Sequence, residues 1–155
     1  LRPPLWRNLE EAKEQVCYGL AHCDILKISD NEIRWLTGLE GYDQGVSWIR
    51  KRYPAIKLIL LSMGKDGSRA YAGDIKAEAK AFRVDTIETT GAGDTFFGAV
   101  LHHVLMWGMG DYTGEQLTRM LTFANAAAAI VTTRKGALRV MPGKEEIAAL
   151  METME

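Results

Sequence analysis

The sequence predicts an α/β protein, in which helices flank a mainly parallel sheet in layers. Three observations lead to this prediction: helical and strand-like segments alternate early, one short apolar run lacks alternation, and two helical segments follow each other late. Apolar runs without alternation are typical of parallel strands that are covered on both faces. The chain has 155 residues and a net charge of -1, which fits one domain and argues against nucleic acid as the main partner.

Capping signals define the elements of the first half. Asn8 precedes two glutamates and is a plausible N-cap for the first helix. Ser29 and Glu32 have the spacing of a capping box, which predicts the start of a second helix that Thr37-Gly38 closes. The predicted elements are helices over about residues 8–22, 29–36 and 44–52, with a strand over residues 24–28.

The second half opens with the clearest strand signal, the run KLILLS over residues 57–62. A Gly73-Asp74 turn then separates two strand-like segments and predicts a hairpin. The helix predicted over residues 95–107 is apolar nearly all round, which is typical of a buried helix. The predicted elements are strands over residues 57–62, 69–72 and 75–84, and helices over residues 95–107, 113–133 and from residue 142 onward.

The sequence contains few signals for metal-binding, disulfide or membrane roles. Cys17 and Cys23 have no Cys or His at zinc-site spacing, so we interpret both as reduced thiols of a cytoplasmic protein. His102 and His103 lack a metal-binding partner at suitable spacing and are interpreted as structural. No apolar stretch reaches the ~18 residues that a membrane span requires.

The segment TTGAGDTFFGA, residues 89–99, is the strongest functional signal. It is not a dinucleotide-binding fingerprint, because Phe96 stands where the third glycine is needed, and it is not a P-loop, because no Lys-Ser/Thr follows the glycines. Two interpretations remain. In one, the glycines form a turn and Asp94 caps the helix; in the other, the segment binds an anion.

Physical chemistry favours the anion site. A helix that begins here directs the N–H groups of Ala92, Gly93 and Asp94 out of its N-terminus, where they attract phosphate. A carboxylate at the same place is consistent with a base that accepts the proton of an attacking hydroxyl, which is the main proton transfer that phosphoryl transfer needs.

Residues 88–99 resemble the C-terminal signature of the ribokinase-like (PfkB) carbohydrate kinases, usually D-T-x-G-A-G-D. Four further segments resemble family motifs in the family's order, namely residues 1–6, 27–38, 62–67 and 123–137. The resemblance implies the ribokinase-like layered fold. Because family members are roughly twice as long, it also implies that residues 1–155 are the C-terminal nucleotide-binding and catalytic part, without the lid and most of the sugar site.

The implied activity is ATP-dependent phosphorylation of a sugar hydroxyl, most like that of a fructokinase, which converts fructose to fructose 6-phosphate. Alternatives within the family are 2-keto-3-deoxygluconate kinase, ribokinase and a nucleoside-type kinase. Alternatives from other classes are a non-catalytic nucleotide-binding module and a purely structural α/β domain. The resemblance implies a small-molecule sugar and ATP as partners and a homodimer of the longer protein, and we expect the isolated chain to bind nucleotide weakly without turnover.

The resemblance also implies roles for individual residues. Asp94 is the expected base and contacts the sugar, with Arg2 as a second substrate contact. The expected anion hole consists of Gly91, Ala92 and Gly93. The expected nucleotide contacts are Ser29, Ser62, Gly64, Lys65, Gly67 and Asn125. Glu32 is expected to support magnesium (Mg2+), and the expected ligands of a potassium ion (K+) are Glu88, Thr90, Val131, Arg134 and Gly136.

Several of these residues also have simpler interpretations. Ser29 stands where many family members have Asn, and Glu88 stands where they have Asp. Glu32 has the alternative of capping the helix at Ser29, and Lys65 that of a solvated turn residue. For Asn125 the alternative is a polar residue at a helix contact, and for Arg2 it is a solvated terminal side chain.

Overall fold

The computed structural model describes residues 3–153, which divide into two compact units with the boundary between Leu61 and Ser62. Each unit has its own set of helices and strands. The α/β class predicted from the sequence is confirmed, because both helices and strands contribute to the structure.

In the first unit, helices alternate with strands, as predicted. Its elements are α1 (Leu9–Leu20), β1 (Ile25–Ser29), α2 (Asp30–Thr37), α3 (Tyr42–Arg52) and β2 (Leu58–Ser62), whose last residue lies across the boundary. The two strands start close together, since the carbonyl of Asp24, just before β1, accepts hydrogen bonds from the N–H groups of Lys57 at 2.8 Å and Leu58 at 3.3 Å. The apolar run of β2 is fully buried from Leu58 to Leu61, which explains why it lacks alternation.

The predicted caps of the first unit form as expected. The Asn8 side chain accepts a hydrogen bond from the N–H of Glu11 at 2.8 Å and so caps α1. Gly38 ends α2 with φ of +70°, a conformation that glycine adopts at little cost. The contact between α2 and α3 requires a small residue, because a Cβ atom at Gly45 would lie 2.9 Å from Cγ1 of Ile33.

The second unit is built around one long helix. Its elements are β3 (Ser68–Ala72), β4 (Ile75–Ala79), α4 (Ala92–Trp107), α5 (Gly114–Thr132) and α6 (Lys144–Glu152). The strands β3 and β4 form the predicted antiparallel hairpin, with Ser68 opposite Ala79 and Ala72 opposite Ile75. Helix α5 packs against both strands, against α4 and against α6.

Two predictions for the second unit need correction. The last strand ends at Ala79 rather than at Val84, because Phe82 leaves the hairpin and packs into an apolar cluster with residues of α5 and α6. Helix α4 is not buried all round: it buries the face that meets α5, whereas Leu105 is 85% exposed and Met106 is 56% exposed. An apolar composition therefore does not by itself predict burial on every face of this helix.

Within residues 3–153, no helix combines the length and the apolar character that crossing a lipid bilayer requires. Cys17 and Cys23 are both free thiols. His103 is buried, and its ring nitrogen Nδ1 lies 3.0 Å from the carbonyl oxygen of Ala99, which agrees with the structural role expected for it.

Candidate active site

The loop at residues 89–91 leads directly into α4, and its shape depends on Gly91. This residue is the N-cap of the helix, has φ of +82°, and accepts a hydrogen bond from the N–H of Thr95 at 2.8 Å. A Cβ atom at Gly91 would also lie 3.2 Å from the Cβ of Ala137, in the loop that follows α5. Both the positive φ and the close approach explain why a glycine stands here.

The first turn of α4 presents fewer unpaired donors than the sequence predicts. The N–H of Ala92 donates a hydrogen bond to the carbonyl of Thr89 at 3.2 Å, so Ala92 is not an unpaired donor. The N–H groups of Gly93 and Asp94 have no acceptor among residues 3–153. Two donors and the helix dipole therefore remain available to an anion at the N-terminus of this 16-residue helix.

Asp94 is the third residue of α4, and its side chain is exposed. The described part of the chain offers its carboxylate no hydrogen bond and no ion pair. Because Gly91 occupies the N-cap position and α4 has no side-chain cap, the interpretation of Asp94 as a helix-capping residue is wrong. The carboxylate is thus an accessible acceptor beside two unpaired backbone donors.

Thr95 follows Asp94 and was missed by the sequence analysis. It is only 7% exposed, and its Oγ1 atom is buried without a hydrogen-bond partner among residues 3–153. Most buried hydroxyls in proteins have a partner. No pattern in the sequence distinguishes this threonine from one whose hydroxyl bonds to the preceding turn.

Glu88 joins the segment before the anion loop to the segment after α5. Its Oε2 atom accepts a hydrogen bond from the N–H of Gly136 at 3.3 Å, and the Thr90 hydroxyl also donates to its carboxylate. The hydrogen bond from Thr90, followed by the one from Gly136, lowers the pKa of Glu88 below its usual value. The N–H groups of Ile87 and Glu88 both donate to the carbonyl of Thr132, at 2.8 and 3.1 Å.

The remaining residues expected to bind potassium lie at the end of α5. The carbonyl of Val131 accepts a hydrogen bond from the N–H of Arg134 at 3.4 Å. The Arg134 guanidinium forms an ion pair with Glu146 of α6, whose carboxylate also accepts the N–H of Gly143 at 3.1 Å. Hydrogen bonds thus connect Glu88 to both Thr90 and Gly136, and a separate one connects Arg134 to Val131.

The turn expected to hold the nucleotide is a single 3-10 turn, Gly64–Asp66, followed by Gly67. Two backbone hydrogen bonds close it, from the N–H of Met63 to the carbonyl of Gly67 at 2.8 Å and from the N–H of Gly67 to the carbonyl of Gly64 at 3.2 Å. Both glycines have positive φ, +55° at Gly64 and +96° at Gly67. Lys65 is exposed at the tip of the turn, and Ser62 is partly exposed at the end of β2.

Asn125 lies inside the protein rather than on an open surface. It is 8% exposed, and its Oδ1 atom accepts a hydrogen bond from the Ser68 hydroxyl at 2.9 Å. Its Nδ2 atom donates to the carbonyls of Ala79 at 3.1 Å and Lys80 at 3.0 Å. Both amide protons are therefore used within the protein, which favours the alternative interpretation, a polar residue at a helix contact.

Ser29 and Glu32 belong to the first unit and cap α2 reciprocally. The Ser29 hydroxyl accepts the N–H of Glu32 at 3.3 Å, and the Glu32 carboxylate accepts the N–H of Ser29 at 2.8 Å. Burial raises the pKa of Glu32, but hydrogen bonds to its carboxylate, including those from Ser29, lower the pKa to about 2 overall. Arg2, the second expected substrate contact, lies outside the described residues.

Comparison with known proteins assigns most of the chain to one family. Residues 1–143 match the pfkB family carbohydrate kinase profile. The chain is 39% identical over 142 residues to probable fructokinase-2 of Arabidopsis thaliana, covering 92% of this chain and 43% of that protein. It is 36% identical over 152 residues to fructokinase-1 of Zea mays, covering 98% of this chain and 47% of that protein. The chain thus spans about half the length of these relatives.

Solved structures of the same fold contain sugars and nucleotides. A fructokinase double mutant from Vibrio cholerae, in its fructose, ADP and potassium ion bound form, superposes with a TM-score of 0.84 at 25% identity, covering 97% of this chain and 48% of that one. Aminoimidazole riboside kinase from Salmonella enterica, complexed with aminoimidazole riboside and an ATP analog, gives a TM-score of 0.83 at 28% identity, with 97% and 50% coverage. The ribokinase-like α/β fold implied by the motifs is confirmed.

Proposed function

The chain belongs to the pfkB family of carbohydrate kinases, and from this premise we propose that residues 1–155 are the C-terminal nucleotide-binding and catalytic part of an ATP-dependent sugar kinase. The proposed acceptor is fructose and the proposed product is fructose 6-phosphate. The relatives named fructokinase support this choice of sugar, as does the similar structure that contains fructose and ADP. The two free thiols are consistent with a cytoplasmic protein.

The observation that carries the proposal is the arrangement at the start of α4. An exposed carboxylate, that of Asp94, stands beside the unpaired N–H groups of Gly93 and Asp94 and the positive end of the helix dipole. An anion hole and a base are the two functions that phosphoryl transfer requires most from a protein. Glu32 at the third position of α2 takes part in a capping box, whereas Asp94 at the third position of α4 takes part in none.

In the proposed reaction the acceptor hydroxyl transfers its proton to the Asp94 carboxylate. The hydroxyl oxygen then forms a bond to the γ-phosphorus while the bond from that phosphorus to the β-γ bridging oxygen breaks, and ADP leaves. The loop of Gly91, Ala92 and Gly93 stabilises the negative charge on the transferred group, with Gly93 and Asp94 supplying the unpaired N–H groups. Removing one donor of this kind typically costs ~10²–10³ in rate.

Glu32 and Glu88 have the chemistry that the two proposed cations need. Mg2+ prefers carboxylate and water oxygens and takes few protein ligands, and the hydrogen bonds from Ser29 favour the ionised form of Glu32 by lowering its pKa. When bound, Mg2+ neutralises charge on the phosphate oxygens. For K+, the proposed ligands are oxygen atoms of Glu88, Thr90, Val131, Arg134 and Gly136.

Nucleotide binding can be tested on the 155-residue chain itself. We expect calorimetric titration with ADP and magnesium to show weak binding, and we expect no phosphorylation of fructose by ATP, because the chain spans about half of its relatives. A purely structural domain would give no heat of binding at any ADP concentration. Turnover by the isolated chain at the rate of complete sugar kinases would contradict the proposed division of the active site.

Catalysis can be tested in a chimera that joins the preceding half of the Zea mays fructokinase to this chain. We expect Asp94→Asn to lower kcat by about a hundredfold or more, as removal of a general base does, with ADP affinity kept. Asp111→Asn makes the same chemical change at another exposed aspartate and serves as the control. If Asp94→Asn keeps kcat within about tenfold, Asp94 is not the base. A screen over fructose, ribose, 2-keto-3-deoxygluconate and nucleosides tests the choice of sugar.

A further inference from the structure

We propose that Asn125 is a positioning residue that holds the turn at residues 62–67, here called the nucleotide turn, in place. It is not itself a ligand of the nucleotide. This inference rests on the proposed function for the role of the turn, residues 62–67, but its geometry stands on the contacts of the second unit alone. Asn125 connects α5 to both strands of the hairpin through three hydrogen bonds of 2.9, 3.1 and 3.0 Å.

The partners of Asn125 lie at one end of the hairpin. Ser68 is the first residue of β3, Ala79 is the last residue of β4, and the two are paired in the antiparallel register. The Asn125 amide accepts from the side chain of Ser68 and donates to the backbone of Ala79 and Lys80. One side chain therefore holds both strands at the point where the nucleotide turn enters the hairpin.

Burial makes the loss of any of these hydrogen bonds costly. Ser68 is 0% exposed and Asn125 is 8% exposed, so water cannot readily replace either partner. The orientation of the amide is fixed by its partners, because two carbonyls need donors and the serine hydroxyl needs an acceptor. A buried carbonyl left without its donor is costly, so loss of the Asn125 amide favours a rearranged strand end.

The backbone of Gly67 packs directly against the end of β4 and so links the strand end to the turn. A Cβ atom at Gly67 would lie 2.2 Å from the carbonyl oxygen of Ala79, which shows how closely the turn backbone passes that oxygen. The same oxygen accepts a hydrogen bond from Asn125. A shift of the Ala79 carbonyl therefore changes its contact with the backbone of Gly67. The N–H and the carbonyl of Gly67 make the two hydrogen bonds that close the turn.

The experiment compares amide hydrogen exchange and ADP binding in four forms of the 155-residue chain. The variants are Asn125→Leu, which removes the amide, and Ser68→Ala, which removes one hydroxyl that the nucleotide cannot reach. Ile130→Val, buried in the same helix and without a part in these hydrogen bonds, is the control for general loosening of α5. The N–H of Val100, in the buried middle of α4, is the internal reference for global unfolding.

We expect the N–H groups of Met63 and Gly67, which close the turn, to exchange about tenfold faster or more in both Asn125→Leu and Ser68→Ala, relative to Val100. We expect less than a threefold change in Ile130→Val. In calorimetric titrations with ADP and magnesium, Asn125→Leu and Ser68→Ala should each bind ADP at least about fivefold more weakly than the unmodified chain. If Asn125→Leu does not fold, Ser68→Ala decides the outcome alone.

Unchanged exchange of Met63 and Gly67 in Ser68→Ala overturns the proposal. If, in addition, only Asn125→Leu weakens ADP binding, Asn125 is a nucleotide ligand. If the unmodified chain does not bind ADP at all, the proposed nucleotide function fails. Even then, the exchange of the two turn amides still decides whether Asn125 holds the turn.

Discussion

Replacing Gly67 with alanine is the most specific test of the geometry of the nucleotide turn. Gly67 has φ of +96° and ψ of -142°, a region that is nearly restricted to glycine. The added Cβ atom would lie 2.2 Å from the Ala79 oxygen, 2.9 Å from the Lys80 Cα and 3.0 Å from the Ala81 nitrogen. All three are backbone atoms, so no side chain can rotate away to make room.

The size of the effect follows from three contributions. Holding a non-glycine residue in such a backbone conformation costs about 1–3 kcal/mol. Forcing an extra carbon into a packed site costs about 1–3 kcal/mol more. The lower entropy of alanine in the unfolded chain returns about 0.4–1 kcal/mol. We therefore expect Gly67→Ala to lower the free energy of unfolding by about 3 kcal/mol.

Gly64→Ala is the matched control for this prediction. Gly64 lies three residues earlier in the same turn and also has positive φ, +55°, but a Cβ atom there would meet nothing within 4 Å. Only the backbone strain applies, and after the entropy gain we expect a loss of about 1 kcal/mol or less. Urea unfolding of the two variants, followed by far-ultraviolet circular dichroism, measures the difference. If the two variants unfold within about 0.5 kcal/mol of each other, the close contact between Gly67 and Ala79 does not exist in solution.

Three further predictions concern stability. Burial lowers the pKa of His103 below 6.5, although the carbonyl of Ala99 opposes this, so the folded state binds fewer protons. Lowering the pH from about 7.5 to 5.5 should therefore reduce Tm more in the unmodified chain than in His103→Gln. Thr95→Val should leave Tm unchanged or raise it, because the lost hydroxyl has no partner among residues 3–153, and a clear fall in Tm would reveal a bound water. Asn8→Ala should cost about 1 kcal/mol through loss of the cap on Glu11, a fall of about 2–4 °C in a thermal melt.

Features that depend on neighbours in sequence were predicted well. The Asn8 cap, the capping box at Ser29 and the hairpin turn at Gly73 all form where local patterns place them. Their partners lie within about four residues, so the pattern contains both sides of each interaction. The position of Gly91 at a helix start is also local, which is why the loop before α4 could be predicted from glycine spacing.

Features that depend on distant partners were not predicted. The sequence contains no sign that Phe82 leaves the hairpin to pack against α5 and α6, which ended β4 earlier than expected. The exposed face of α4 has the same origin: composition shows that Leu105 is apolar, but only packing shows which face meets α5. One local contact was also missed: Ala92 donates its N–H to the carbonyl of Thr89, three residues earlier, although this donor was expected to bind an anion.

A residue that matches a family motif can therefore be placed in the fold from the sequence, but the match does not establish what its side chain binds. Asn125 and Glu88 both match motif positions, yet each side chain is hydrogen-bonded to residues of this chain more than 40 positions away. The side-chain partner of Asn125 is Ser68, which lies outside the segments that resemble family motifs. The partner of Glu88 is the backbone N–H of Gly136, which lies inside one of them. Asp94 differs, since its exposed carboxylate has no partner within residues 3–153. An exposed carboxylate without a protein partner is free to accept a proton from a ligand, and Asp94 therefore remains our proposed base.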